Sequence, residues 1–126
     1  MNPSDDIASP ITRHVRDAAE SIRWANHASY ADQPEVTDLY DTVGQLSVLL
    51  TRLPPLVAHL HRLVNRADAS CYDTDCATPT AEILNSTQAA LDEAFGKTTT
   101  AGNALDDACN ALSHLRIHDP DTTNHE

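Results

Sequence analysis

Between Leu39 and Val64 the apolar residues Leu39, Val43, Leu46, Leu50, Leu53, Val57, Leu60 and Val64 recur at alternating steps of four and three without a fault. That spacing makes one continuous face only on an α-helix. Leu49, Leu56 and Leu63 widen the stripe on one flank, and Val36 and Tyr40 widen it near the start. A helix this apolar is expected to be central and to pack on more than one neighbour.

Pro54-Pro55 falls inside this run. A helical proline removes a backbone hydrogen bond and clashes with the preceding turn, at roughly 3 kcal/mol or more. Pro55 also pushes Pro54 away from the α region. A break is therefore expected near Leu53, yet the apolar phase continues beyond it. The expectation is a kinked helix or two collinear pieces, since RLPPLV offers no polar turn for a hairpin.

Two further stripes flank this one. Ser9 followed by Pro10 reads as an N-cap and first helical residue. Ala8, Ile11, Val15, Ala18, Ile22, Ala25 and Ser29 then form one face to about Ala31. Asp32 and Glu35 have the spacing of a capping box for the second helix. A third helix is expected from the Thr78-Pro79 cap to Ile117, about 58 Å at 1.5 Å per residue. Its stripe is Leu84, Thr87, Leu91, Ala94, Thr98, Ala101, Leu105, Ala108, Leu112 and Leu115, with large residues alternating with small ones. Such alternation lets a neighbouring helix approach closely. Thr98-Thr99-Thr100 and Gly102 mark its weakest part by helix propensity.

The fold expected is all-α, an up-down-up bundle of three long helices in a single domain, with a left-handed supercoil from the 3.5-residue average. Residues 1–7 and 118–126 read as flexible tails. The third helix exceeds the first in length, and an overhanging apolar end invites a second copy of the chain. The candidate self-association seam is Leu49, Leu56, Leu63, Leu105 and Leu112.

Composition agrees. Aromatics are 4% of the 126 residues, so the core must be aliphatic. Net charge is −11, and it is uneven. Residues 1–66 hold 6 basic and 8 acidic residues, whereas residues 67–126 hold 2 and 11. The second half would repel nucleic acid and anionic membranes, so direct nucleic-acid binding is not expected. Asp92-Glu93 and Asp106-Asp107, fourteen residues apart, form a candidate acidic ridge on the third helix, which leaves a role as an acidic nucleic-acid mimic against a basic protein. The N-terminus lacks the basic and apolar regions of a signal peptide, and no run of 18 apolar residues occurs, so a cytoplasmic protein with no membrane association is expected.

The most site-like stretch is CYDTDC, residues 71–76. Cys71 and Cys76 meet the loose end of a zinc-site spacing, but no second ligand pair completes it. His59 and His61 are two apart and point to opposite sides of a helix; only His114 and His118 stand at i, i+4, near the expected end of the third helix. As a calcium loop starting at Asp73, the stretch has Thr78 where glycine is needed and Leu84 where glutamate is needed. A Cys71–Cys76 disulfide or redox pair remains, with roughly 2 kcal/mol expected from so short a ring. Cys109 reads as a small apolar residue beside the third stripe. FGKTTTAG at 95–102 lacks the first glycine of a phosphate-binding loop, since Leu91 stands there, and it lacks the preceding strand. No Asp or Glu stands three residues before a His, so the di-metal bundle motif is absent. No metal, cofactor or catalytic residue is expected, and the chain reads as a non-enzymatic interaction or oligomerisation module with a protein partner.

DLYDTVGQLSVLLTRLPPLVAHLHRLV (38–64), followed by the Ala-rich helix, resembles a type of short helical protein common in actinobacteria, often near mobile elements. Seven Arg to one Lys fits a GC-rich source. The resemblance implies a helical bundle from a bacterial or phage genome and transfers no functional residue.

Overall fold

The computed structural model describes residues 8–29 and 35–116. They form three long helices: α1 (Pro10–Ser29), α2 (Val36–Asn65) and α3 (Thr80–Leu112), with a 3₁₀ turn, η1 (Ala69–Cys71), between α2 and α3. Among the described residues there is no strand, and the all-α, three-helix organisation is what the periodicity calls for. The chain divides into two compact units, one ending at Glu35 and one beginning at Val36. The expected tails and Asp32 of the capping box lie outside the described residues.

α1 starts as its sequence dictates. The Ser9 hydroxyl accepts from the Thr12 N–H at 3.2 Å, and the Ser9 carbonyl accepts from the Arg13 N–H at 3.0 Å. One orphan N–H of the first turn is thereby satisfied, and the first intrahelical bond is made. Its apolar stripe is uncovered within its own unit: Ile11, Val15 and Ile22 are all exposed. On another face Trp24 sits edge-on to His27 at 6.0 Å, with the Arg23 guanidinium 5.4 Å from the indole centroid.

α2 and α3 run antiparallel and form a long hairpin. Cys109 lies against Gly44, Gly102 against Leu50, and the Gln88 amide donates to Asn65 at 2.9 Å. These pairs descend one helix as they climb the other. The row of α2 that meets α3 is Tyr40, Gly44, Ser47, Thr51, Pro54, Ala58, His61 and Asn65, again at steps of four and three. This row adjoins the leucine stripe rather than replacing it: Val43, Leu46, Leu50, Leu53, Val57, Leu60 and Val64 are half-buried, and the small-residue row lies one residue later, roughly 100° round the helix. Leu50, at the edge of the stripe, still reaches Gly102. On α3 the expected stripe holds at Leu84, Leu91, Ala94, Thr98, Ala101, Leu105 and Leu112, all half-buried, with Gly102 buried beside Ala101, while Gln88 and Cys109 are half-buried where Thr87 and Ala108 are exposed.

Side-chain size explains the close approach along this row. Gly44, Ser47, Ala58, Gly102 and Cys109 are all small, so the backbones close on one another along this row. A Cβ on Gly102 would lie 3.5 Å from the Leu50 Cβ, and one on Gly44 would lie 3.6 Å from the Cys109 sulfur. Ser47, Pro54 and Gly102 are the buried residues among those described, and no large hydrophobic side chain is.

α2 passes through Pro54-Pro55 as one helix, which corrects the two-piece alternative. The carbonyls of Leu50 and Thr51 lose their helical donors, because proline has no N–H. Pro54 is buried on the α3-facing row, and Pro55 is exposed beside it. Burial of Pro54, which lines a crevice with Phe95 and Gly102 of α3, offsets part of the lost bonding.

α3 is shorter than expected. It begins at Thr80, with Pro79 rather than Thr78 at the cap and no side chain capping it. The Glu82 and Ile83 N–H groups both donate to the Pro79 carbonyl. It ends at Leu112, where i→i+3 bonds from His114 and Leu115 tighten the last turn, so Leu115 leaves the stripe and is exposed. At 33 residues it spans about 50 Å. At the weak centre each threonine hydroxyl donates back to a carbonyl four residues earlier, Thr98 to Ala94, Thr99 to Phe95 and Thr100 to Gly96, which satisfies the hydroxyls within the helix. Gly96 is exposed in mid-helix with open space where a Cβ would be. Gly96→Ala should therefore stabilise the fold by about 1 kcal/mol through helix propensity alone, read as a rise in the urea midpoint at constant slope.

Candidate interaction surface

The small-residue row of the α2–α3 seam sets what the leucines face. Leu46, Leu53 and Leu60 stand about 100° from the seam row, and Leu49, Leu56 and Leu63 about 200° from it, on the far side of α2. Within the unit from Val36 onward, α3 is the one helix that α2 packs on. Leu39 is 41% exposed and Leu63 44%, while Leu49 and Leu56 are half-buried. Leu105 and Leu112 are half-buried on α3, and Leu112 lines a crevice with Val36 and Tyr40. The five residues of the expected self-association seam are thus not one surface. Leu112 belongs to the seam inside the hairpin and Leu105 to its edge, whereas Leu49, Leu56 and Leu63 form a flank of their own.

Asp92, Glu93, Asp106 and Asp107 are all exposed on α3. Asp92 lines a crevice with His61 and Arg62 of α2, and Glu93 pairs with Lys97 at 2.6 Å. The spacing of fourteen residues does place the two pairs on matching faces. Two of the four carboxylates have basic neighbours, so the ridge is more nearly balanced than its sequence suggests.

The α2–α3 connector is organised by its own polar groups. The Asp68 carboxylate accepts from the Ser70 N–H at 3.0 Å and the Ser70 hydroxyl at 2.8 Å, fixing η1. These bonds hold the Asp68 carboxyl below its usual range, with a smaller contribution from the Cys71 thiol. The Thr80 hydroxyl donates to the Tyr72 carbonyl at 3.1 Å and ties the end of the connector to its beginning. The Thr74 hydroxyl donates to the Cys76 carbonyl at 2.7 Å. Cys71 and Cys76 are both free, exposed thiols. The Thr78 backbone N–H, then its hydroxyl, hold the Cys76 thiol below the usual range. Cys109 is half-buried, its sulfur 4.0 Å from the Tyr40 carbonyl, in the small-residue role expected of it.

Among the described residues, no three His, Cys, Asp or Glu side chains gather where one metal ion would sit, and no helix is long and apolar enough to cross a membrane. Comparison with known proteins finds no match among family models, curated proteins or solved structures.

Proposed function

We propose that this chain is a non-enzymatic helical interaction module that self-associates through the leucine flank of α2. The observation that supports this reading is the placement of Leu49, Leu56 and Leu63 on the side of α2 away from α3, the one helix of their unit that α2 packs on. Each leucine taken from water on association contributes about 1.5–3 kcal/mol. A row of three at seven-residue spacing is the pattern with which helices pair. A second copy presents the same row, which suits a two-fold interface in which one patch meets itself. Size-exclusion chromatography with light scattering tests the reading. Expected is a mass above that of one chain, rising with protein concentration.

A second reading, an acidic mimic of nucleic acid that occupies a basic protein, draws on the exposure of all four ridge carboxylates. Under that reading, Asp92→Asn, Glu93→Gln, Asp106→Asn and Asp107→Asn together abolish binding to a basic partner. The wild-type affinity then falls steeply between 50 and 200 mM salt, about a thousandfold or more for six or more charge contacts. Salt-insensitive binding removes this reading and leaves the first untouched.

A further inference from the structure

We propose that Cys71 and Cys76 form a reactive thiol pair that exchanges with a low-molecular-weight disulfide and closes to a bridge within the α2–α3 connector. Three observations lead there, all independent of the leucine flank. Both thiols are free and exposed in one short segment, while the third cysteine is packed into the helical seam. The segment is not helical between them, so the divergence of roughly 140° that a helix would impose on residues five apart does not apply. The connector also doubles back: the chain bends over residues 75–78, and the Thr80 hydroxyl holds the Tyr72 carbonyl. Cys71 is adjacent to that closure, and Cys76 lies within the closed loop.

The surroundings of the two sulfurs divide the labour. Cys76 has hydrogen-bond donors from Thr78, which favour its thiolate, so it is the attacking group. Cys71 lies beside the Asp68 carboxylate that fixes η1, and it is the resolving group. In the first step the Cys76 thiolate attacks one sulfur of RSSR, forming Cys76–S–S–R and releasing RS⁻, which takes up the proton that Cys76 gave up. Cys71 then attacks the Cys76 sulfur and expels the second RS⁻, which receives the Cys71 proton. Two protein thiols are oxidised, one small disulfide is reduced to two RSH, and no other reactant is needed. Thr74 and Thr78 hold the loop on either side of Cys76, so the closure rearranges the connector without requiring α2 or α3 to move apart.

The test uses the full chain with glutathione disulfide, followed by intact-mass measurement and peptide mapping without reduction. Expected for the wild type is a transient glutathione adduct on Cys76, then a product lighter than the reduced chain by two hydrogens, with Cys71 joined to Cys76 and Cys109 still free. Cys71→Ser should stop at the adduct on Cys76. Cys76→Ser should react about tenfold more slowly or less. Cys109→Ser should match the wild type. Circular dichroism of each variant separates loss of reactivity from loss of fold. A persistent adduct in the wild type, a bridge between copies, first reaction at Cys109, or three thiols still free at the end would each overturn the proposal.

Discussion

Pro55→Ala should raise the unfolding free energy by up to about 3 kcal/mol. The substitution restores an N–H that can donate to the Thr51 carbonyl and removes the ring that crowds it. Pro55 is exposed, so little packing is lost in exchange. For a chain of this size the gain corresponds to a rise in Tm of about 10 °C. Pro54→Ala should give less. Its ring is buried on the α3-facing row, where alanine leaves space beside Phe95 and Gly102. The order of the two variants by differential scanning calorimetry is the decisive readout. If Pro54→Ala proves the more stabilising, the packing assigned to its ring is wrong.

The second large effect concerns association. Leu49→Gln, Leu56→Gln and Leu63→Gln combined should weaken self-association by about tenfold or more, since Leu49 and Leu56 are already half-buried and each leucine gains only part of about 1.5 kcal/mol. Glutamine keeps a good helix propensity, and the three positions face away from α3, so the hairpin should retain its helicity and most of its stability. Leu112→Gln should behave in the opposite way. It introduces an amide into the crevice shared with Val36 and Tyr40, and it should lower stability by about 1–2 kcal/mol with little direct effect on association. Circular dichroism melts beside light scattering separate the two. The reverse assignment, with α3 variants abolishing association and α2 variants unfolding the hairpin, would show that the leucine flank is internal.

The contrast between these variants shows what was legible in the sequence. Element identity was. An unbroken four–three pattern over Leu39–Val64 admits a helix and little else, and Ser9-Pro10 announced the start of α1 through a cap that the Ser9 hydroxyl indeed makes. The register of the hairpin was not, because hydrophobicity and close approach select different rows. Gly44, Ser47, Thr51, Ala58, His61 and Asn65 carry little apolar signal. Their signal is size: Gly44, Ser47 and Ala58 on α2 answer Gly102 and Cys109 on α3. The proline pair signals a kink or a break, and the break does not occur: α2 is one helix, with Pro54 buried. The end of α3 is not legible, because Leu115 keeps the seven-residue spacing after the backbone has tightened out of the helix. The connector was read correctly as polar, yet its organisation rests on Asp68, Ser70, Thr74 and Thr80 bonding to nearby groups, a pattern that spacing alone does not reveal.

Sedimentation equilibrium of the wild-type chain over a hundredfold range of concentration, with the Leu49/Leu56/Leu63 glutamine variant in parallel, tests the central claim most directly. The account predicts a reversible association of the wild type to twice the chain mass and an association weaker by about tenfold or more in the variant. A wild type that stays monomeric at the highest concentration, or a variant that associates as tightly as the wild type, would contradict it.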